Sequence, residues 1–234
     1  DSPRGAPPSG AGGDSPRGSC HSPSSTPTTQ PPRTASTPSL YSGEVFLEPP
    51  DVNPIDEFQI ELERGPGESL GVLLDFLDCQ TGYIIQVTPG PIRNYNKTES
   101  PSLQVQKHDF IMEANGVSGD AEGFIERLRN DDHLRLVIRR PLRFTAQIFK
   151  NGQPIGMELQ FAATGASLVV VRVGEGPVTE FNEAHPSRQV LANDRIIKVN
   201  HVSGSTRGLL DEIRRSDAPF LTFVRPRPVG ASRK

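Results

Sequence analysis

Five histidines, two cysteines and the serines that precede glycine are the side chains here whose types could carry nucleophilic, acid–base or metal chemistry. A serine nucleophile of the G-x-S-x-G kind sits on a strained turn framed by glycines, and neither Ser118 nor Ser203 has that frame. Metal ligation needs His, Cys or carboxylates at ligand spacing. His21, His108, His133, His185 and His201 lie outside any such motif, as do Cys20 and Cys79. His108-Asp109 is a tempting acid–base pair, yet the place 85 positions later reads Asn193-Asp194, so a turn accounts for both. No glycine-rich phosphate loop follows a strand. The expectation is no catalytic residue, no metal and no cofactor, hence no enzyme.

That 85-residue offset is general. DFIMEANGVSGD at 109–120 returns as DRIIKVNHVSGS at 194–205, and Leu70-Gly71-Val72 falls on Ile155-Gly156-Met157. Residues 136–141 fall on 221–226, and Gly90-Pro91-Ile92 meets Gly176-Pro177-Val178 after a slip of one residue. Even the unusual middle segment recurs, with YNKTESPSLQV (95–105) facing FNEAHPSRQV (181–190). Solenoid repeats have periods of roughly 20–50 residues, so this spacing indicates a duplicated domain.

Each repeat follows one plan. FQIELE (58–63) and FTAQIF (144–149) alternate as half-buried strands. A polar turn leads to a second strand from Leu70 or Ile155, and YIIQV (83–87) or LVVVRV (168–173) forms a third. Gly-Pro opens a short helix, with Pro in a favoured first position. A strand and turn follow, then a second helix carrying Phe124, Ile125 and Leu128, or Leu209, Leu210 and Ile213. LRLVIRR and FLTFVR close the units. Strands with helices at two separate points, without strict βα alternation, predict α+β architecture with a partly open barrel in each unit.

The remaining composition sets bounds. Residues 1–39 hold nine Pro, nine Ser and four apolar residues, too few to offset chain entropy, so a disordered tail is expected over 1–43. The domains are expected at 57–141 and 142–226, followed by a basic tail at 227–234. Only Pro141-Leu142-Arg143 separates the closing strand of one repeat from the opening strand of the next, which predicts a fixed mutual orientation. Tyr41 to Leu47 is expected to add a strand to the first repeat. A net charge of −3 argues against nucleic-acid partners. Cys20 and Cys79 are expected to stay unpaired, which fits a reducing, cytoplasmic setting. The chain opens on Asp and reads as a fragment. Ser-Pro and Thr-Pro steps at Ser2, Ser15, Ser22, Thr26 and Thr37 are formal acceptors for a proline-directed kinase, although a plain solubilising spacer is the simpler reading of the tail.

The order of parts resembles a PDZ domain, twice. PDZ domains carry a Gly-Φ-Gly-Φ turn before the second strand; here the stretches are Ser69-Leu70-Gly71-Val72 and Pro154-Ile155-Gly156-Met157. They also carry a Gly-Asp-Arg-Ile-Leu-x-Val-Asn-Gly strand and turn, to which residues 193–201 are close and 108–116 are looser. The long first helix and its Tyr/Phe-Asn segment are similar to divergent PDZ-like repeats of dinoflagellate proteins. The fold this implies is two small PDZ-like, partly open β-barrels in tandem, with five to six strands and two helices each.

The resemblance also implies a site. Consecutive amides facing one concavity form an anion nest suited to a terminal carboxylate. Those of Leu70, Gly71 and Val72, and of Ile155, Gly156 and Met157, would receive it. A peptide would add as a strand beside the second strand, facing the second helix, with Ile125 and Leu128 or Leu210 and Ile213 as pocket walls. Structural packing explains those apolar side chains about equally well. Ala121 and Thr206 stand near the helix start, where the commonest PDZ class holds a His, so a Ser/Thr-x-Φ ligand is not expected. Arg64 and Lys150 precede the turns and are read as solvated side chains. Ser69 and Pro154 replace the first Gly of the signature, which stiffens the second loop without deleting a donor.

The function expected is a non-catalytic scaffold binding protein C-termini or extended peptide segments. The rivals are a peripheral membrane module using Arg139, Arg140, Arg143 and their neighbours on anionic lipid, and the regulatory segment of a larger enzyme.

Overall fold

The computed structural model describes residues 45–47 as a backbone strand and residues 55–228 in full. The expectations for the Pro/Ser tail and for most of the basic C-terminal tail lie outside the described residues. In chain order the elements begin with β1 (Val45–Leu47), β2 (Glu57–Glu63), β3 (Val72–Asp75), β4 (Gly82–Val87) and α1 (Pro91–Thr98). They continue with β5 (Phe110–Ala114), β6 (Val117–Ser118), α2 (Ala121–Asn130) and β7 (His133–Arg139). The second repeat runs β8 (Pro141–Gln147), β9 (Met157–Gln160), β10 (Leu168–Val173), α3 (Pro177–Ala184), β11 (Arg195–Val199), β12 (Val202–Ser203), α4 (Thr206–Arg215) and β13 (Phe220–Pro226).

Every strand pair is antiparallel. The first repeat is a six-stranded sheet in the order β2-β7-β5-β4-β3, with β6 on β5. The second is seven-stranded, β1-β8-β13-β11-β10-β9, with β12 on β11. Both sheets stay open, since β2 and β3, at opposite ends of the first, do not pair; closure into a barrel is not observed. β1 corrects another expectation. It pairs with β8 of the second repeat, Phe46 opposite Thr145, and not with the first repeat. The expected linker is itself strand: β8 starts at Pro141, leaving Arg140 alone between β7 and β8.

Local chemistry explains these elements. In β2 the side chains of Phe58, Ile60 and Leu62 are buried and those between are not, the period-two pattern of a strand with one solvated face. Asp120 caps α2 by accepting from the amides of Glu122 and Gly123 at 3.1 and 3.3 Å, and Arg127 and Arg129 sit in its last turn. Ser205 caps α4 through the Gly208 amide.

The repeated residues make repeated bonds. Asp109, almost fully buried, accepts from the Gln106 amide at 2.7 Å and from Arg140, whose guanidinium lies over the Phe58 ring. Asp194 accepts from the Leu191 amide at 2.8 Å and from Arg225, which lies over Phe144. Burial pushes the Asp194 carboxyl up to about 7 despite Arg225. Asn115 and Asn200 hold left-handed turns at φ 48° and 52°, and each accepts from the backbone of the closing-strand region, Arg135 N–H at 2.7 Å and Phe220 N–H at 2.9 Å. Asn96 clips Val105 with bonds to its carbonyl and amide, as Asn182 clips Val190. The Asp and Asn kept in the repeated stretches 109–120 and 194–205 are thus structural.

The repeats meet along β4, β5, β11 and β13. Tyr83, Phe110 and Val224 form a buried cluster with Ile85, Met112 and Ile197 against it. Arg227 reaches back from beyond β13 to Asp56 at 2.8 Å. Cys79 is disulfide-bonded, which corrects the expectation of unpaired cysteines and removes the ground it offered for a reducing compartment. Among the described residues no helix is long and apolar enough to cross a membrane.

Candidate functional site

Each proposed carboxylate loop is built on two glycines in contact. Gly71 has φ +83°, and a Cβ there would stand 2.9 Å from the Cα of Gly90. Gly156 has φ +82°, and its Cβ would stand 2.9 Å from the Glu175 carbonyl oxygen. Positive φ and backbone approach together demand glycine. The loop carbonyls are tied down toward the start of the first helix. Leu70 C=O accepts from Ile92 N–H at 3.2 Å and Gly71 C=O from Thr88 N–H at 2.8 Å. In the second repeat Ile155 C=O accepts from Val178 at 3.3 Å and Gly156 C=O from Gly174 at 2.9 Å.

The loop amides have no such partners. Among the described residues, no backbone carbonyl accepts from the N–H of Leu70, Gly71, Ile155 or Gly156. Gly71 N–H has only the Ser69 hydroxyl, at a long 3.5 Å. Amide donors gathered beside a strand start without backbone acceptors are a place for an anion or a carbonyl.

The strands that follow have one open edge. Among the described residues, β3 pairs only with β4, and β9 only with β10. Each pairing carries a bulge, between Leu73 and Leu74 and between Val170 and Arg172. Bulges twist an edge and re-aim its side chains.

The predicted wall residues divide into floor and rim. Leu70 and Leu128 are buried in the first core, and Ile155 and Ile213 in the second. Val72, Met157 and Leu210 are half-buried and packed against those cores, whereas Ile125 is half-buried on the exposed side of α2. Ala121, the first residue of α2, is half-buried. Thr206 is not free: its hydroxyl donates to the Ala162 carbonyl at 3.1 Å and its amide to Gly165 at 3.1 Å, so the β9–β10 loop is laced to the start of α4. Two surface concavities, about 370 Å³ around Thr81, Met112 and Arg139 and about 560 Å³ around Leu62, Asn115 and Leu134, lie away from both loops.

Arg64 and Lys150 are not simply solvated. Lys150 donates to the carbonyls of Ile213, Arg214 and Ser216 at 2.8–3.1 Å, closing the C-terminus of α4. Arg64 donates to the Arg129 carbonyl at the end of α2. Both residues tie the segment before each glycine loop to the end of its helix and neutralise the negative end of the helix dipole there.

Sequence reasoning missed Arg195. Fully buried, it leaves the second repeat to meet Asp75 at 3.0 Å and Asp78 at 3.3 Å, with Tyr83 beneath it at 4.6 Å. The available signal was asymmetry: the first repeat has Phe110 where the second has Arg195, and the second has Gln160 and Ala163 where the first has its acids.

No protein-family model and no curated protein matches the chain. Among solved structures it is similar to INAD PDZ45 in complex with NG2 peptide, at 15% identity over 81% of this chain and 99% of that one, TM-score 0.34. It is similar also to INAD PDZ45 with NORPA CC-PBM, at 15% identity over 79% and 98%, TM-score 0.33. A third is the PDZ domain of human FERM and PDZ domain containing 1, at 25% identity over 40% and 94%, TM-score 0.29. The chain is a tandem of two α+β repeats built on one plan, each with its own glycine loop, open-edged strand and flanking helix.

Proposed function

We propose that the chain is a non-catalytic interaction module that captures C-termini or extended segments of partner proteins along β3 and β9. The observation that carries this is the loop before each edge strand, where a left-handed glycine and inward-tied carbonyls leave amide donors without backbone acceptors. A peptide strand would continue the sheet by main-chain bonds, with its terminal carboxylate on Leu70, Gly71 and Val72 or on Ile155, Gly156 and Met157. Ile125 and Leu210 form the rims that touch its side chains, over floors of Leu128 and Ile213. Ala121 leaves the start of the first groove apolar, while Thr206 is engaged by its own loop.

The lipid reading loses support from the arginines themselves. Arg139 bonds Glu57, Arg140 is buried against Asp109, Arg225 pairs with Asp194 and Arg227 with Asp56. Charges already neutralised inside a protein have little to offer anionic headgroups.

The test is selection of a random C-terminal peptide library on the whole chain, with free-carboxylate and amidated pools side by side. Enrichment confined to the carboxylate pool, reduced more than about tenfold by Gly71→Glu or Gly156→Glu, is the expected result, because a side chain there would collide with the Gly90 or Glu175 backbone and break the loop that holds the amides. Equal enrichment of amidated peptides would move the site from carboxylate capture to internal strands. Enrichment of neither pool would contradict the reading.

A further inference from the structure

We infer that Arg195 is a positioning residue: the second repeat uses it to hold the far end of the first repeat's edge strand, so that the first groove is complete only in the tandem. Its use in peptide capture rests on the groove reading above; its mechanical part does not.

Asp75 is the last residue of β3, and Asp78 lies in the loop that turns back to β4. Both organise that loop. Asp75 accepts from the Leu77 amide at 2.7 Å. Asp78 accepts from the amides of Gln80 and Thr81 at 3.0 and 2.8 Å and from the Thr81 hydroxyl at 2.6 Å. The side chains of Asp75 and Asp78 are 8% and 4% exposed, and two carboxylates so close and so buried repel each other and cost desolvation. Arg195, at 0% exposed, is the cation that bridges them, and its guanidinium is stacked on Tyr83, the residue paired with Asp75 across β3 and β4.

The arrangement runs one way. The residue matching Arg195 in the first repeat is Phe110, which packs on Tyr83 with ring centroids 5.3 Å apart in the same interface. The residues matching the two acids in the second repeat are Gln160 and Ala163. The second repeat therefore completes the first, and Gln160 and Ala163 offer no acids for an equivalent pair in return. The end of β9 is set instead within its own repeat, by Thr206 and the loop it bonds.

The experiment is amide hydrogen exchange on the full chain, comparing wild type, Arg195→Gln and Asp78→Asn. Asp78→Asn keeps the Oδ1 acceptor for the Gln80 and Thr81 amides and loses the ion pair together with the Oδ2 acceptor for the Thr81 hydroxyl. Arg195→Gln is expected to speed exchange at Leu77, Gln80, Thr81 and along β3 by about tenfold or more, with β13 unchanged, and Asp78→Asn by about threefold. If Arg195→Gln does not fold, the Asp78→Asn comparison decides alone. Unchanged exchange over residues 72–81 in a folded variant overturns the inference. The carboxylate peptide pool, bound to chains carrying Gly156→Glu, adds the second readout: about tenfold weaker binding with Arg195→Gln extends the role to capture, and equal binding removes it from capture. If the wild type binds no pool, the peptide reading fails and exchange still judges the positioning role.

Discussion

The two repeats share a plan and differ at the far ends of their edge strands. In the first, Phe76 follows β3 and packs edge-on against Phe124 of α2 at 5.7 Å, and Asp75 is gripped by an arginine from the other repeat. In the second, the corresponding Phe161 is 45% exposed, and the β9–β10 loop is drawn onto the start of α4 by Thr206. A duplicated sequence keeps the bonds that make each fold and is free to change those that set each edge strand. The far end of β3 is held by the other repeat; that of β9 has an exposed aromatic beside it.

The comparison can be broken by substitution. Phe76→Ala removes an aromatic contact against the first core and is expected to lower stability by about 2–3 kcal/mol, whereas Phe161→Ala, at the exposed equivalent, is expected to cost under about 0.5 kcal/mol. Denaturant midpoints at constant slope check both. Equal losses would mean that Phe161 is packed in solution and the far ends are alike.

The capping residues give a smaller contrast. Lys150→Ala frees three helix carbonyls and Arg64→Ala one, so losses of about 1–2 and about 0.5 kcal/mol are expected in the same measurement.

The smallest effect is set by pH. His108 bonds the Tyr83 hydroxyl at the interface, and burial first, then Arg143 and Lys107, hold its pKa down at about 4, against 6.5 unperturbed. Its neutral form is favoured by the fold, so its stabilisation is complete above about 6.5 and is lost as pH falls toward 4. Because His108 is partly exposed, the expected loss is about 1 kcal/mol. His108→Asn, the residue of the second repeat at this place, should flatten stability between pH 6.5 and 4. An unaltered profile would remove His108 from the interface account.

Much of the fold was legible in the sequence because it is local and periodic. Alternation marked β2 and β8; Gly-Pro marked both first helices; and the stretches ending at 116 and 201 marked the turns that Asn115 and Asn200 hold. The glycine loops were legible through the family resemblance, and the close approach of Gly71 to Gly90 supplies their physical reason. What escaped was long-range pairing. Arg195 stands inside a familiar strand motif, and no periodicity shows that its partners lie 117 and 120 positions earlier. Lys150 gave no sign that it reaches the end of a helix some 63 residues on. β1 chose its partner by an open edge on β8, which local composition does not reveal.

If both loops present amides to a ligand, an NMR titration reads those amides directly. Carboxylate peptides enriched on the chain should move the amide resonances of Leu70, Gly71 and Val72, or of Ile155, Gly156 and Met157, strongly downfield, with smaller shifts along β3 or β9. Amidated versions should not. Shifts absent from both loops, with the peptide nonetheless bound, would contradict the account.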